Sequence, residues 1–449
     1  MSIDFKSLSE EAARLLSELI KVDTTNPPGN ELPAAEIVAE ALRDFGFEPI
    51  VVESEENRGN VITRIEGRGE GPSLLLLSHL DVVPADPKKW SFNPFSGEIR
   101  DGYVHGRGAI DCKGLVAVEV MVMRLLAERD VAPKGDIIFA ATADEEKGGS
   151  KGVGWLLENR SELVKADYVI NEGGGVPIKV GDRLIYTVQV AEKGVFWLKL
   201  KFLGKPAHAS VPWLGDNAII KMSEAVKKIA EYKAPVFLTS TVKKLLEIFG
   251  KALGRTVISE LLTNPYFLDL ALDLLSKEGF ETIAQILKAM VRDTMAPTMV
   301  KGGIKENVIA PECTLTIDCR LLPGHTKDDL LKTLKEILTG IDFEVETITE
   351  SVGTESPIDT PLYEIIEGTI VEEVPNSYVA PFMSTGGTDS RYFRVLTNSV
   401  CYGFWPKSPE STMGKIVPLI HGIDERISIN DLEFAIRTLY RVVDRFMYD

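Results

Sequence analysis

Imidazole and carboxylate side chains follow three apolar segments of the sequence, each at the point where the segment ends. The segments and the side chains that follow them are 74–77 with His79 and Asp81, 136–142 with Glu145 and Glu146, and 167–171 with Glu172. Each pattern by itself suits an ordinary solvated strand end as well as a ligand site. Open α/β sheets bind ligands beyond the carboxyl ends of their strands, so the repetition at successive strand ends favours one shared site.

A glycine-punctuated segment, GRGAIDCKG at 106–114, offers a further carboxylate in Asp111. The segment lacks the Gly-Lys-Ser/Thr ending of a phosphate-binding loop, and we interpret its glycines as a means of presenting Asp111 to a cation.

A second imidazole, His421, lies beside an apolar stretch far downstream. Two histidines with several carboxylates match the ligand preference of zinc, with cobalt or manganese as alternatives. Cys112 could ligate through its thiol, but a neighbour that points away is the favoured interpretation.

The first part of the chain alternates continuous apolar segments with helical ones, near 115–129 and 151–160. Continuous apolar strands are typical of a largely parallel sheet whose two faces are both covered by helices. The predicted fold class is therefore α/β, with a mostly parallel sheet and helices on both faces. This sheet is the element that must position the strand-end side chains.

The pattern changes near Val195, where apolar and polar residues begin to alternate. Alternation is typical of strands with one buried face, and it predicts an antiparallel sheet with helices on one side. The predicted division is 1–189 and 351–449 for a catalytic domain, 190–350 for an inserted α+β domain, and 238–297 for a helical insert within it. The helical insert, with expected breaks at Gly250, Gly254 and Pro265, either packs on the inserted domain or forms a cover that shapes substrate choice.

The 449 residues include 50 Lys+Arg against 67 Asp+Glu, which gives a formal net charge of -17. Nucleic acids and anionic membranes recruit clustered basic side chains, so neither is an expected partner. The first 22 residues carry acids throughout, unlike a signal peptide, and we see no run of the ~20 apolar residues that a membrane span needs. Since the four cysteines form no Cys-x-x-Cys pair, a reducing cytoplasm is the expected compartment.

In combination, the motifs resemble the metallopeptidase family of acetylornithine deacetylase, succinyl-diaminopimelate desuccinylase, aminoacylase and glutamate carboxypeptidase. The motifs that carry the resemblance are SHLDVVP (78–84), GRGAIDCKG (106–114), ADEEKGG (143–149), NEGG (171–174), GKPAHASVPWLGDNAI (204–219), NVIAPECTLTIDCR (307–320), STGGTDSR (384–391) and the late His421. They extend over essentially the whole chain. The resemblance implies a two-zinc catalytic domain with an inserted lid domain, which commonly mediates dimerisation.

The resemblance also implies roles for individual residues. The implied metal ligands are Asp111 as a bridge between two ions, His79 and Glu172 on one ion, and Glu146 and His421 on the other. The implied catalytic residues are Glu145 as general base, Asp81 as the group that orients His79, and His208 as an oxyanion donor that could reach a partner subunit's site. The implied substrate contacts are Asn307, Arg320, Gly386, Gly387 and Thr388. His105 and His325 match no functional position of the family.

The function implied is that of a zinc-dependent amidohydrolase, which cleaves an N-acyl amino acid or the C-terminal bond of a small peptide. The alternative within this class is a biosynthetic deacylase that acts on acetylornithine or succinyl-diaminopimelate. A non-catalytic metal-dependent binding protein is disfavoured because Glu145 and all five implied ligands are present, and another type of two-metal aminopeptidase is disfavoured by the lid with His208 and Arg320. The expected partners are a small-molecule or short-peptide substrate and, through the lid, a second copy of the chain.

Overall fold

The structure, a computed structural model, describes residues 3–449. Its helices are α1 Phe5–Lys21, α2 Leu32–Asp44, α3 Lys113–Ala127, α4 Val153–Asn159, α5 Ser161–Val164, α6 Ala218–Glu231, α7 Ser240–Leu253, α8 Thr256–Leu262, α9 Leu268–Leu275, α10 Glu281–Met290, α11 Lys327–Ile337, α12 Pro361–Glu373, α13 Ser390–Tyr392, α14 Met413–Ile416 and α15 Ile429–Tyr448. Its strands are β1 Ile50–Glu53, β2 Gly59–Ile65, β3 Leu74–His79, β4 Glu98–Arg100, β5 Tyr103–His105, β6 Ile137–Thr142, β7 Tyr168–Asn171, β8 Pro177–Val180, β9 Arg183–Glu192, β10 Gly194–Leu203, β11 Thr294–Gly302, β12 Glu312–Leu321, β13 Glu344–Ser351, β14 Thr354–Glu355, β15 Tyr378–Ser384, β16 Val400–Gly403 and β17 Arg426–Ser428.

The larger sheet has the strand order β1-β2-β6-β3-β7-β16-β9-β14, with β15 and β8 also paired to β9. Its central strands β6, β3, β7 and β16 run parallel to one another, whereas antiparallel pairings lie toward the edges. Successive side chains of β3 alternate between two buried clusters, Leu74 and Leu76 in one and Leu75 and Leu77 in the other. The unbroken leucine run is explained by this burial on both faces, and the predicted fold class is confirmed.

Helices cover both faces of the larger sheet. Helix α3 packs against α1, α15 and β3, and nearly every one of its residues is buried. On the opposite face, α4 and α5 contribute Val153, Leu156 and Val164 to the cluster that holds Leu75 and Leu77. The two faces together hold the central strands rigidly, so their carboxyl ends form a fixed edge for functional side chains.

The smaller sheet has the order β11-β12-β10-β13, and all its pairings are antiparallel. Its inward side chains, such as Leu198 on β10 and Ile317 on β12, form a separate buried cluster with α6 and α11. The predicted alternation of buried and exposed positions in these strands is confirmed. The boundaries proposed for the inserted domain stay a prediction.

Helices α7 to α10 pack differently from the expectation. Helix α7 contacts β15, β9 and β8 of the larger sheet, and its Leu245 and Phe249 belong to the buried cluster of that sheet. The expected break at Gly250 is also absent from α7, which runs through to Leu253. A Cβ at Gly250 would lie 2.1 Å from Ser259 Oγ, so this glycine permits the close approach of α8. Gly254, with a φ of 66°, ends the helix as predicted.

None of the helices between residues 3 and 449 combines the length and the apolarity that crossing a bilayer requires.

Candidate metal centre

The strand-end side chains meet at one edge of the larger sheet. Strand β3 lies between β6 and β7, and the three strands are parallel, so their carboxyl ends are adjacent. His79 is the last residue of β3, and its Nε2 lies 3.6 Å from an Oε2 of Glu172, just beyond β7. The turn that carries Glu145 and Glu146 begins two residues after β6.

Asp111 lies between two imidazoles. One of its carboxylate oxygens is 3.0 Å from His79 Nε2, and the other is 3.0 Å from His421 Nε2. His421 Nε2 is in turn 3.2 Å from Glu146 Oε1. The structure thus arranges the residues as two sets, His79 with Glu172 and His421 with Glu146, on either side of one shared carboxylate.

The donor sets fit divalent cations. Zinc bonds to imidazole nitrogen and carboxylate oxygen are about 2.0–2.2 Å long, so neighbouring ligand atoms on a tetrahedral ion are roughly 3.3–3.6 Å apart. The separations of 3.0, 3.2 and 3.6 Å between the donor atoms are close to this spacing. The ligand atoms of His79, Asp111 and Glu146 also lie within 4.8 Å of one another. Imidazole with carboxylate is a donor combination typical of zinc.

Cys112 contributes a second possible donor set with His79 and Glu172, because their ligand atoms also lie within 4.8 Å of one another. Its sulfur, however, accepts a hydrogen bond from the backbone N–H of His79 at 3.2 Å. Burial raises the pKa of the Cys112 thiol far above its ordinary value. The sulfur is therefore a buried neighbour that the backbone of His79 already engages.

Buried carboxylates crowd this edge of the sheet. Burial raises the pKa of Glu145, and the nearby charge of Glu172 raises it further. Burial likewise raises the pKa of Glu172, and it raises the pKa of Glu146 to about 7. Because these carboxylates are buried and lie close together, their ionised forms are stable only when a positive charge is nearby. A bound cation supplies that charge.

The two imidazoles supply part of that positive charge in the structure. Hydrogen bonds to Asp111 and Glu146 raise the pKa of His421 to about 10. For Asp111, burial raises the pKa, but hydrogen bonds from His421 and His79 outweigh burial and hold it below its ordinary value. Asp111 is thus the carboxylate of this cluster whose pKa is lowered, whereas the pKa values of Glu145, Glu146 and Glu172 are raised.

Asp81 joins the end of β3 to the turn that carries Glu145. Its two carboxylate oxygens accept the backbone N–H groups of Glu145 and Glu146 at 3.0 and 3.1 Å. Its backbone carbonyl oxygen lies 3.0 Å from His79 Nδ1, whereas its nearer carboxylate oxygen is 3.5 Å away. Asp81 contacts His79 as the resemblance implies, but the closer contact is through its backbone.

Asn26 and Asp144 support the same turn, and sequence reasoning missed this role for both. The Asn26 side chain donates to Asp81 at 2.8 Å and to Asp144 at 3.0 Å. Asp144 has a left-handed φ of 73° and pairs with buried Arg58 at 3.0 Å. The first carboxylate of the Asp-Glu-Glu run is therefore held in an ion pair, and Glu145 and Glu146 face the metal site. The Asn-Pro-Pro turn at 26–28 was visible in the sequence but carried no sign of this contact.

The segments that carry His208 and Asn307 lie together in the inserted domain. The backbone N–H of Ala209 donates to the carbonyl oxygen of Asn307 at 2.9 Å, and His208 pairs with Val308 in a β-bridge. His208 is exposed, and its Nδ1 is 2.7 Å from Ser210 Oγ. Within residues 3–449, neither a hydrogen bond nor an ion pair joins His208 or Asn307 to the metal ligands.

Arg320 and the Gly386-Gly387-Thr388 loop lie near the passage from the larger sheet to the smaller one. Arg320, on β12, makes a two-point contact with Asp318 at 2.6 and 3.0 Å, so its planar fork is engaged inside the smaller sheet. Thr388 donates through its N–H and its hydroxyl to Glu192, the last residue of β9. A Cβ on Gly387 would lie 3.7 Å from Val195 Cγ2 on β10. The loop thus sits where β9 continues into β10.

The other two histidines have structural contacts. His325 Nδ1 lies 2.8 Å from Asp293 Oδ2. The buried ring of His105 packs edge-on against Phe92, with 5.0 Å between ring centroids.

A sequence profile of the Peptidase family M20/M25/M40 matches residues 75–445, which includes every residue of the two donor sets. The chain belongs to this peptidase family. It is 31% identical over 430 residues to the N-fatty-acyl-amino acid synthase/hydrolase PM20D1 of Xenopus tropicalis, with 90% of this chain and 80% of the relative covered. As a member of the family, the chain is a metal-dependent hydrolase of amide or peptide bonds, as the sequence predicted.

Two solved M20 structures share the fold. The metallo-carboxypeptidase Sso-CP2 of Sulfolobus solfataricus superposes with a TM-score of 0.73 at 19% identity, covering 97% of this chain and 99% of the other. The YXEP protein of Bacillus subtilis, described as a dinuclear metal-binding peptidase, superposes with a TM-score of 0.60 at 13% identity, covering 97% and 98%. In this M20 chain, the donor atoms around Asp111 have the residue types and the spacing that divalent metal ions require.

Proposed function

We propose that this M20 chain hydrolyses the amide bond of N-acyl amino acids or the C-terminal bond of short peptides, with two zinc ions. The observation that carries the proposal is the position of Asp111, with one imidazole 3.0 Å from each of its carboxylate oxygens. His79 and Glu172 would hold one ion with Asp111, and His421 and Glu146 would hold the other. Glu145, which has no ligand role and lies among these groups, is then available for proton transfer.

Two bound divalent ions would polarise the scissile carbonyl and make a water molecule more acidic. Glu145 accepts a proton from the water whose oxygen attacks the carbonyl carbon. When the C–N bond breaks, the Glu145 carboxyl returns that proton to the departing nitrogen, which leaves as a free amine. The products are a carboxylic acid and an amine, and Glu145 ends in its starting ionised form.

Asp81 and the turn it holds keep Glu145 in place for this work. Both carboxylate oxygens of Asp81 accept backbone N–H groups of the turn. Because the same residue contacts His79, the general base and the first ligand set share one support. We assign to Asp81 the role of a positioning residue.

We assign the remaining predicted roles to residues of the inserted segment and to the loop at 386–388. His208 would donate to the developing oxyanion, Asn307 and Arg320 would contact the substrate, and the Gly386-Gly387-Thr388 loop would line the pocket. A planar guanidinium such as that of Arg320 matches a substrate carboxylate, provided that it exchanges Asp318 for the substrate. We propose that His208 reaches the metal centre of a second copy of the chain.

A substrate panel tests the proposed reaction. The zinc-loaded chain would be given amino acids with short and long N-acyl groups, dipeptides, acetylornithine and succinyl-diaminopimelate. The long acyl groups are included because the relative PM20D1 is named for fatty-acyl amino acids, and the dipeptides because the neighbour Sso-CP2 is named a carboxypeptidase. We expect turnover of acyl amino acids or dipeptides, and preferred turnover of either biosynthetic compound would favour the alternative deacylase function. A loaded chain that turns over none of them would leave the binding-protein alternative.

Zinc itself is part of the proposal, with cobalt and manganese as the alternatives. Metal analysis of the purified chain should find about two divalent ions per chain, mostly zinc. Stripping with a chelator and adding back zinc, cobalt or manganese one at a time should show the highest affinity for zinc. A chain that keeps full hydrolysis with well under one ion would reject a metal-dependent mechanism.

We further propose a homodimer through the smaller sheet. Strand β11 is an edge strand of that sheet, and its Met299 and Val300 are exposed. Trp213, in the segment after His208, is 90% exposed, and Ile220 of α6 is also exposed. Exposed apolar side chains beside an open strand edge are typical of a surface that another chain covers. Sedimentation of the intact chain should give the mass of two copies, and Trp213→Lys with Met299→Lys should give the mass of one.

The cytoplasm remains the proposed compartment. The four cysteines are all buried and free, which agrees with a reducing environment. Fractionation of the source cells, with an antibody against this chain, is the direct measurement.

A further inference from the structure

A buried ion pair connects the loop of Asp111 with the loop of His421. Arg107 Nη1 donates to Glu425 Oε2 at 2.7 Å, and the two side chains are 4% and 0% exposed. Strands β5 and β17 bring them together, since His105 pairs with Arg426 in the small sheet of β17, β5 and β4. The pair therefore links two segments that are far apart in the sequence.

Glu425 fixes the backbone that leads to Asp111. Its carboxylate accepts the N–H groups of Gly108, Ile110 and Asp111 at 3.1, 2.7 and 3.2 Å. Gly108 has a φ of 89°, a conformation that glycine adopts easily. The use of the glycines to present Asp111 to a cation stays a prediction, and Glu425, a carboxylate that sequence reasoning did not select, holds the loop in this form.

Arg107 fixes the backbone of the second metal ligand. Its Nη2 donates to the carbonyl oxygens of His421 and Gly422 at 3.3 and 3.0 Å. His421 has a left-handed φ of 56°, which is uncommon for a residue other than glycine and needs support from its surroundings. The guanidinium supplies that support and at the same time bonds Glu425.

The two ligand sets differ in how they are held. His79 lies inside β3, whose backbone pairs with β6, and Glu172 directly follows β7. His421 lies in a turn outside the strands and helices, and its side chain is 50% exposed. Sheet hydrogen bonds therefore hold the first set, whereas the second set depends on loop contacts.

We propose that Arg107 and Glu425 together form a positioning unit that sets the distance between the Asp111 and His421 loops and so permits the second ion to bind. This inference rests on the two-metal centre of the proposed function. Removal of the unit should weaken binding at the His421 and Glu146 set more than at the His79 and Glu172 set. A pair that only stabilises the fold would affect both sets alike.

The test is zinc binding to the intact, metal-stripped chain, measured by calorimetric titration with zinc alone. The wild-type chain should bind two ions. Arg107→Met should bind one ion with about the wild-type affinity and the second about 10–100-fold more weakly, the usual range for loss of a group that orients a ligand. Binding of both ions by Arg107→Met with wild-type affinities would overturn the inference.

Arg394→Met is the matched control. Arg394 and Glu192 form another buried ion pair, 4% and 1% exposed, which supports the Thr388 loop and touches neither ligand loop. This variant should still bind two zinc ions with wild-type affinities. If Arg394→Met loses the second ion to the same extent as Arg107→Met, general loosening of the fold explains the result and the inference fails.

Two further variants guard against misfolding. Arg107→Lys keeps the positive charge beside Glu425 but lacks the planar fork that also reaches the two carbonyl groups. Arg107→Lys should fold even if Arg107→Met does not. The second variant, Glu425→Gln, removes the charge of the carboxylate that holds the Asp111 loop. The affinity of Arg107→Lys for the second ion should lie between those of the wild type and of Glu425→Gln. Unchanged affinity in both variants would count against the positioning role.

The outcomes of the two proposals are separable because the titration uses no substrate. A wild-type chain that binds two ions but hydrolyses no compound of the panel would reject the proposed function and leave the positioning unit standing. An active wild-type chain whose Arg107→Met variant binds both ions with wild-type affinities would leave the proposed function standing and reject the positioning unit.

Discussion

The edge of the larger sheet and the inserted segment present their predicted residues in opposite ways. At the sheet edge, donor atoms from His79, Asp111 and His421, widely separated in the sequence, come within about one ligand spacing, with 3.0 Å between each imidazole and the shared carboxylate. In the inserted segment, His208 and Asn307 lie beside each other but make no bond to that cluster among residues 3–449. A packed sheet thus brings side chains from distant parts of one chain within bonding distance of one another, whereas the role proposed for His208 calls on the second copy of the chain that we propose.

Backbone segments approach one another closely at the junction between the two regions. A Cβ on Gly194 would lie 2.7 Å from the backbone nitrogen of Gly353, so the two connecting segments approach as closely as glycine allows. Next to them, the Lys193 ammonium group donates to the carbonyl oxygens of Ala289 and Arg292 at 3.1 and 2.8 Å. The loop at 386–388, which we propose lines the pocket, adjoins this junction through the hydrogen bonds from Thr388 to Glu192.

The largest expected effect is at the sheet edge. Glu145→Gln keeps the size of the side chain but removes the base, so kcat should fall by about 10²–10⁴-fold. Metal analysis should still find two ions, because Glu145 holds neither. Retention of full hydrolase activity in Glu145→Gln would remove the proposed proton transfer, and loss of the metals would make Glu145 a ligand.

His208→Ala tests the inserted segment at the next level. Loss of one oxyanion donor should lower kcat by about 10²–10³-fold, with metal content unchanged. Mixing His208→Ala with Glu145→Gln under conditions that allow subunit exchange should restore activity, since one site of each mixed dimer would contain an intact Glu145 and a partner's intact His208. Normal turnover by His208→Ala would show that the segment contributes no oxyanion donor, and a mixture without recovery would show that the partner does not supply it.

The contrast between the sheet edge and the inserted segment also explains how much of the site the sequence could predict. Leu74 to Leu77 form a strand with two buried faces, and such strands can be recognised from composition, so their carboxyl ends could be located before the structure was known. The metal ligands lie at or near those ends or in a glycine-punctuated loop. For these residues, local pattern and position in the sheet carry the same information.

The supporting residues could not be located in this way. Asn26, Arg58 and Glu425 act through contacts with partners 27 to 318 residues away in the sequence. Single buried polar residues of this kind have no periodic pattern, and only the fold shows which distant group they meet. The same reason explains α7: its sequence predicted a helix, but only the fold shows that the helix covers the larger sheet.

Arg320 tests whether the inserted segment reaches the substrate directly. Arg320→Ala should raise KM by about 10–100-fold and change kcat much less, because a charge-assisted hydrogen bond to a substrate carboxylate would be lost. Asp318→Asn is the second variant of this test. It weakens the two-point contact of the guanidinium with Asp318 at 2.6 and 3.0 Å. Since Arg320 is then freer to meet the substrate, KM should fall or stay unchanged. An Arg320→Ala variant with a normal KM would restrict Arg320 to its pairing with Asp318.

The smallest expected effect compares how the two regions respond to the metal itself. Zinc added to the stripped chain should slow amide hydrogen exchange by about threefold to tenfold in the loops at 106–112 and 420–425, because ligation holds together loops that otherwise open locally. Strands β10 and β12, whose buried cluster is separate from that of the larger sheet, should show little change. Equal protection of both regions would mean that metal binding also fixes the position of the smaller sheet, and the contrast between the two regions would then hold only for the metal-free chain.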